Sequence, residues 1–191
     1  MYKFERMIEA LSFSNTFKSP DTTEVEKRQE ELLNSYIESI RYKTKLHDGT
    51  WMIEDTIYLS GKHLKTLKGL NVSKVIGNVY VHNNELTSLE GGPKDVSGDY
   101  LCYYNQLTSL KGAPIIVDGD FTCSANKLTS LEGGPVNVGG HFMCIQNKLT
   151  SLEGCPKKVG RDFDCYSNLK KFTEEDIKGK CKIGGRFTAR F

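Results

Sequence analysis

The chain repeats itself every 21 residues, and this periodicity constrains its fold more than any other feature. A Leu-Thr-Ser-Leu motif begins at four positions that are 21 residues apart: Leu86, Leu107, Leu128 and Leu149. A glycine, a proline, a valine, an aromatic residue, a cysteine and an asparagine recur with the same period; one such set is Gly112, Pro114, Val117, Phe121, Cys123 and Asn126. Self-similarity at a fixed period of about 20 to 50 residues indicates stacked repeats.

Degenerate copies extend the repeat in both directions. Leu64–Gly69 is an earlier copy that continues through Val79 to Asn84, and Ile57 with Leu59 resembles the strand before it. Near the other end, Ile183–Ala189 repeats the pattern of residues 138–144. We therefore predict seven strands, near residues 57, 79, 100, 121, 142, 163 and 187.

The residues of each copy predict how the coils pack. In Phe121-x-Cys123 both side chains lie on the same face, because side chains alternate along a strand. A single coil cannot bury its apolar side, so successive coils stack and their strands form a parallel sheet. Asn126 and its equivalents are expected to point inward and bond backbone groups that the strands leave unpaired.

The pattern Phe-x-Cys-x-x-Asn-x-Leu-x-x-Leu resembles the core of leucine-rich repeats, most closely the short bacterial class used by secreted effectors. The resemblance covers roughly residues 51–191. It departs from the family where Val117 lies four residues, not three, before Phe121, which the additional glycine explains. The repeats are also similar to those in proteins of large tailed bacteriophages and their hosts. The resemblance implies an α/β repeat solenoid of stacked coils and fixes no activity.

Residues 1–50 do not repeat, and we predict that they form a helical N-terminal cap on a solenoid of residues 51–191. Residues 2–11 have helical spacing, and residues 19–22 form a break and a helix cap. Apolar residues then trace one helical stripe from residue 22 to about 42; a helix that binds a partner is the alternative to a cap. A short helix after Thr173 leads into the final strand, whose edge pairs with another molecule or is covered by Arg186 and Arg190.

Composition limits the classes of function. The net charge of +2 suggests neither a polycation nor a polyanion. The chain contains no run of about 18 apolar residues, which argues against a membrane span. Residues 1–6 lack the apolar region of a secretory signal, so we expect a cytoplasmic protein whose six cysteines are thiols.

The sequence disfavours catalytic and metal-binding sites. Four cysteines occupy one repeat position and form a linear ladder, which cannot surround a zinc ion; they are interpreted as small core residues, and Cys155 and Cys181 as incidental thiols. His141 and Cys144 point to opposite faces of a strand and cannot form a catalytic dyad. No glycine-rich phosphate loop is present. We therefore expect no enzyme, no cofactor and no metal site.

The outward face of the predicted strands does not repeat, although everything beneath it does. It carries aromatic and apolar residues of the kind that mark interfaces, and an acidic column of Asp99, Asp120, Asp162 and Asp164 that suits a partner with Lys or Arg. The alternative is that Tyr and Thr are there as strand formers. The predicted partner-binding residues are Tyr58, Tyr80, Asp99, Leu101, Tyr103, Asp120, His141, Met143, Ile145, Asp162, Asp164 and Tyr166.

These features predict a non-enzymatic protein-binding module, and a phage or bacterial origin would favour an accessory protein that blocks a host factor. A structural component of a larger assembly, such as a virion, is the alternative. The segment 170–191 carries seven Lys or Arg against three acids, but it lacks interleaved aromatic residues, which disfavours nucleic-acid binding. The sequence leaves the partner and the oligomeric state open.

Overall fold

Each repeat forms one turn of a β-solenoid in which the chain passes through two separate parallel sheets. The structure is a computed structural model and describes residues 22–189. The predicted helix at residues 2–11, the capping residues 19–21 and Arg190 lie outside the described residues. The solenoid has about seven turns and carries an N-terminal helix, so the predicted architecture of stacked coils is confirmed.

One sheet contains the seven predicted strands, and all its pairs are parallel. Each strand pairs with the strand of the next coil, so that Phe121, Phe142 and Phe163 lie in register. Its strands are β3 (Ile57–Tyr58), β5 (Val79–Tyr80), β7 (Tyr100–Leu101), β9 (Phe121–Thr122), β11 (Phe142–Met143), β13 (Phe163–Asp164) and β15 (Phe187–Thr188).

A second sheet of eight strands was not predicted. It is parallel except for an antiparallel hairpin of its first two strands, which spans residue 50 and joins the segment before the repeats to the solenoid. Its strands are β1 (Lys43–Lys45), β2 (Trp51–Ile53), β4 (Val72–Val75), β6 (Asp95–Val96), β8 (Ile116–Val117), β10 (Asn137–Val138), β12 (Lys158–Val159) and β14 (Lys182–Ile183). Its two-residue repeat strands β6, β8, β10 and β12 each bury a single valine, so no alternating pattern marks them in the sequence.

The core lies between the two sheets and is built from stacked identical positions. The rings of Tyr100, Phe121 and Phe142 are fully buried and stack with centroids 5.6 Å apart. Close approach of the coils requires glycine at Gly112, which has a φ of 87°. A Cβ there would overlap the backbone of Leu89 and Glu90 in the preceding coil.

Five buried asparagines, the inner asparagine column, tie the coils together as predicted. The Nδ2 of Asn126 donates to the carbonyls of Cys102 (3.1 Å), Cys123 (3.0 Å) and Ser124 (3.2 Å), and its Oδ1 accepts the N–H of Leu107 at 3.0 Å. Each side chain therefore bonds its own coil and the preceding one. The column consists of Asn84, Asn105, Asn126, Asn147 and Asn168.

Helix α1 (Thr22–Ser39) packs against the first coil. Leu33 and Ile37 are fully buried in the core cluster, and Gln29 bonds the first coil twice, donating to the carbonyl of His63 at 3.1 Å and accepting the N–H of Lys65 at 2.8 Å. Tyr36 Oη accepts the N–H of Tyr58 at 3.1 Å, at the edge of the seven-stranded sheet. The helix stops at residue 39 rather than about 42, because strand β1 begins at Lys43.

The predicted short C-terminal helix is α2 (Glu174–Ile177), which follows Thr173. The N–H of Thr173 donates to Oδ2 of Asp176 at 2.9 Å, and Ile177 is buried against the last coil. Neither α1 nor α2, the two described helices, has the length and apolarity that a membrane crossing needs.

Candidate functional site

The outward side chains of the seven-stranded sheet form a continuous surface, which we call the strand face. The strand register arranges the twelve predicted site residues in three rows that run along the solenoid. The central row holds Tyr58, Tyr80, Leu101, Met143 and Asp164; the row before it holds Asp99, Asp120, His141 and Asp162; the row after it holds Tyr103, Ile145 and Tyr166. All twelve are half-buried or exposed, while the residues between them are buried.

The row that precedes the strands, which we call the outer row, is a hydrogen-bonded ladder. Asn78 Oδ1 accepts the N–H of Asp99 at 2.8 Å, Asp99 Oδ1 accepts that of Asp120 at 2.8 Å, and Asp120 Oδ1 accepts that of His141 at 2.7 Å. His141 Nδ1 then faces the N–H of Asp162 at 3.3 Å. One oxygen of each aspartate is therefore part of the scaffold, a role that the sequence analysis did not predict. The outer row consists of Asn78, Asp99, Asp120, His141 and Asp162.

The ladder explains which coils carry glycine immediately before the outer row. A Cβ at Gly119 would overlap Oδ1 of Asp99, and one at Gly140 would overlap Oδ1 of Asp120. Asp162 follows His141 in the ladder, and the residue immediately before Asp162 is Arg161 rather than glycine. In the coil before Arg161 the outer-row side chain is the imidazole of His141, not a carboxylate or an amide. Glycine therefore precedes the outer-row residue in those coils where the outer-row side chain of the preceding coil has an oxygen acceptor.

Asp162 ends the described ladder and is the only outer-row aspartate with an arginine partner in residues 22–189. Its Oδ1 accepts the N–H of Arg186 at 2.7 Å, and its Oδ2 lies 3.7 Å from Arg186 Nη2 and 3.6 Å from His141 Nδ1. The backbone N–H of Arg186, followed by the charge of Arg186, lowers the pKa of Asp162. Asp164 lies in the central row, so the predicted acidic column holds three of its four aspartates in one line.

An aromatic cluster occupies the N-terminal half of the strand face. Tyr58 and Tyr80 meet edge to face at 5.5 Å, and His82 stacks on Tyr103 at 4.4 Å with an interplanar angle of 7°. Tyr80 approaches His82 at 6.3 Å, and Tyr104 meets Tyr103 edge to face at 5.6 Å. Burial, followed by the nearby charge of Asp99, raises the pKa of Tyr80, and burial lowers that of His82. The aromatic cluster is therefore Tyr58, Tyr80, His82, Tyr103 and Tyr104.

His82 and Tyr104 were not among the predicted site residues. His82 occupies an outward strand position, and the nearby tyrosines could have marked it. Tyr104 lies at a turn with a φ of 51°, where its equivalents include Asn83 and Ala125. A bulky residue in the left-handed region is unfavourable for folding, yet Tyr104 is 59% exposed. The ring of Tyr104 therefore contributes to the exposed surface and not to the core.

Beside the aromatic cluster, the central row holds a buried threonine between two half-buried apolar residues. Thr122 lies between Leu101 and Met143 in register. It is only 8% exposed, and its Oγ1 is buried without a hydrogen-bond partner in the part of the chain that the structure describes. Ile145 is half-buried further along, and Tyr166 is 36% exposed but lies three coils from Tyr103, outside the aromatic cluster.

The six cysteines are free thiols and belong to the scaffold. Cys102, Cys123, Cys144 and Cys165 are at most 1% exposed, and burial raises the pKa of all four, that of Cys165 to about 12. Burial also raises the pKa of the half-buried Cys181 to about 12. A thiol with so high a pKa is a poor nucleophile at neutral pH.

The described residues also lack the geometry of a metal site or of a Cys–His catalytic dyad. No three His, Cys, Asp or Glu side chains converge on a possible metal position between residues 22 and 189. His141 is half-buried on the strand face, whereas Cys144 is buried in the core, so the two lie on opposite sides of the sheet.

The outer surface of the eight-stranded sheet provides a contrast. It exposes Ile116 (40%) together with Ile115 (52%) and Val136 (38%), which immediately precede strands β8 and β10, among lysines such as Lys94 and Lys157. No aromatic residue joins these aliphatic side chains in β6, β8, β10 or β12. This surface resembles ordinary solenoid exterior more than the strand face does.

Comparisons with protein-family models, with curated proteins and with solved structures found no match.

Proposed function

We propose that this chain is a non-enzymatic protein-binding module that engages a protein partner through the strand face. The single observation that carries the proposal is the aromatic cluster of Tyr58, Tyr80, His82, Tyr103 and Tyr104. Rings that stack on one another at a surface form a rigid platform, and tyrosine is enriched in the residues that dominate binding energy.

The scaffold does not account for this composition. For folding, the outer row needs only one hydrogen-bond acceptor in each coil. The turn at Tyr104 needs only a residue that tolerates a positive φ. Tyr104 is less suited to that turn than Asn83 in the preceding coil. Aromatic residues at positions where folding does not require them support a role in recognition.

The repeat pattern supports two narrower proposals. The first is that the solenoid is of the leucine-rich-repeat type, on the basis of the inner asparagine column and the Leu-x-x-Leu motif. The second is that the chain is a phage or bacterial accessory protein that acts in the cytoplasm by blocking a host factor. A rigid, preformed surface suits occlusion, because little conformational entropy is lost on binding.

A structural role in a larger assembly is the second candidate, favoured by the C-terminal end of the solenoid. Strands β14 and β15 end their sheets without a further paired strand in the described chain, and Phe187 at this end is only half-buried. Edge strands readily pair with another chain. Loss of assembly in Phe187→Lys, with Tyr103→Asp unaffected, would favour this candidate.

The test of the proposed function is affinity purification from the cells that naturally express the chain, followed by quantitative mass spectrometry. Tyr103→Asp places a charge in the aromatic cluster and is expected to remove the partner. Ile115→Asp is the matched control, since it places the same charge on an exposed aliphatic residue of the other sheet. Equal recovery of the same proteins by wild type and Tyr103→Asp would contradict the proposal.

A further inference from the structure

Resting on the proposed function, we propose that the strand face recognises an arginine in an extended segment of the partner protein, held between Asp99 and Asp120. The two aspartates lie on adjacent coils, and each uses Oδ1 to accept the backbone N–H of the next coil. Adjacent strands are about 4.8 Å apart, a separation that one guanidinium group can bridge.

The charges of these two aspartates are not compensated by any residue that the structure describes. No Lys, Arg or His of residues 22–189 lies within ion-pair distance of Asp99 or Asp120. Their second oxygens have no hydrogen-bond partner among the described residues. The surface therefore presents two negatively charged hydrogen-bond acceptors, which a positively charged donor would complement.

The last coil provides an internal example of the proposed contact. At Asp162, Oδ1 makes the same backbone bond, and Oδ2 faces the guanidinium of Arg186 at 3.7 Å. Asp99 and Asp120 have the same arrangement without the arginine. The partner would supply what Arg186 supplies to Asp162.

The surroundings of the two aspartates also favour arginine. Thr122 lies two residues after Asp120 on the same side of the strand, and its Oγ1 is buried without a hydrogen-bond partner among the described residues; turned outward, this hydroxyl would add a third acceptor. Leu101 lies two residues after Asp99 and beside Tyr80, where it can cover the aliphatic part of an arginine side chain. Only a ligand with several donors and an apolar stem uses all these groups.

The same geometry disfavours sugars and nucleobases, which stack on exposed ring faces. The facing surfaces of His82 and Tyr103 are occupied by each other at 4.4 Å, and Tyr58 meets Tyr80 edge to face. Part of the ring-face area of the aromatic cluster is thus already covered by its own members. A basic protein segment fits this surface better than a flat ring.

A charge-only variant tests the inference, because Asn78 already makes the ladder bond with an amide oxygen. Asp99→Asn with Asp120→Asn keeps the backbone bonds and removes both charges. The control is Asp118→Asn with Glu132→Gln, which removes two charges from exposed residues outside the strand face. Equal unfolding midpoints in urea would show that all three proteins are folded alike.

The probe is a random dodecapeptide library selected on the immobilised wild-type protein, followed by fluorescence anisotropy of the selected peptides. We expect enrichment of arginine over lysine, at least about tenfold weaker binding to Asp99→Asn/Asp120→Asn, and unchanged binding to the control. Replacement of the selected arginine by citrulline should weaken binding to wild type to a similar extent.

Three results would overturn the inference: selection without arginine enrichment, equal affinity of the selected peptides for wild type and the double variant, or binding of a labelled dextran oligosaccharide at the strand face instead. If Tyr103→Asp still abolishes capture of the native partner, the inference fails alone and the protein-binding proposal stands. If neither Tyr103→Asp nor the double variant affects any binding, both fail.

Discussion

The inner asparagine column and the outer row both tie each coil to the next, but only the inner one is uniform. Each inner asparagine is buried, and both ends of its amide are bonded to backbone groups, as at Asn126. The outer row needs a single acceptor and is half exposed, so Asn78, Asp99, Asp120 and His141 all serve.

The difference shows how a repeat protein separates folding from recognition. Where a side chain must both donate and accept inside the core, all five coils of the inner column use asparagine, whose amide does both. Where one acceptor suffices, the second atom of the side chain is released from the scaffold. On Asp99 and Asp120 that atom is a charged oxygen, and the proposed interface uses it.

The largest expected effect comes from breaking the inner column. Asn126→Ala should lower the free energy of unfolding by about 3 kcal/mol or more, because the N–H of Leu107 and the carbonyls of Cys102 and Cys123 stay buried without their partner. Urea unfolding measures the change. Asn137→Ala, at an exposed asparagine of β10, is the control and should change stability by less than about 0.5 kcal/mol.

The second effect concerns the glycine before the outer row. Gly140→Ala should cost about 2 kcal/mol, because the added Cβ would overlap Asp120 Oδ1 and lie 2.8 Å from the backbone oxygen of Gly119. Arg161→Ala, which removes an exposed side chain at the equivalent position of the next coil, should have little effect. Thermal and urea unfolding of the pair would contradict the ladder if both variants were equally stable.

A smaller effect separates the acceptor from the charge in the outer row. Asp120→Ala leaves the half-buried N–H of His141 without its partner and should cost about 1 kcal/mol. Asp120→Asn retains an acceptor and should leave the unfolding midpoint nearly unchanged. Equal destabilisation by the two substitutions would mean that the fold needs the charge itself.

The smallest effect is the pH dependence at Asp162. Its pKa is lowered in the folded protein, so its contribution to stability is complete above the unfolded value of about 3.9 and is lost as the pH falls through the lower folded value. The difference in stability between wild type and Asp162→Asn should therefore shrink as the pH falls below about 4. A difference that stays constant with pH would contradict this assignment.

The sequence predicted the seven-stranded sheet because period-21 residues such as Phe121 and Cys123 report packing directly. It did not predict the eight-stranded sheet, since strands such as Asn137–Val138 bury one side chain and have no second buried side chain two positions away. The strand face could be located from the register, which places Tyr80 beside Leu101. The hydrogen-bonded ladder of the outer row could not be predicted. The bond that Asp99 Oδ1 accepts from the N–H of Asp120 depends on the spacing of the coils, which residue identities do not encode.

Hydroxyl-radical footprinting of the complex with the affinity-purified partner tests the central claim most directly, since it reports side-chain exposure at both sheets at once. Our account predicts that Tyr58, Tyr80, Tyr103 and Tyr104 lose reactivity on binding, while Ile115, Ile116 and Val136 on the eight-stranded sheet keep theirs. Protection of the aliphatic residues with unchanged reactivity of the tyrosines would contradict it.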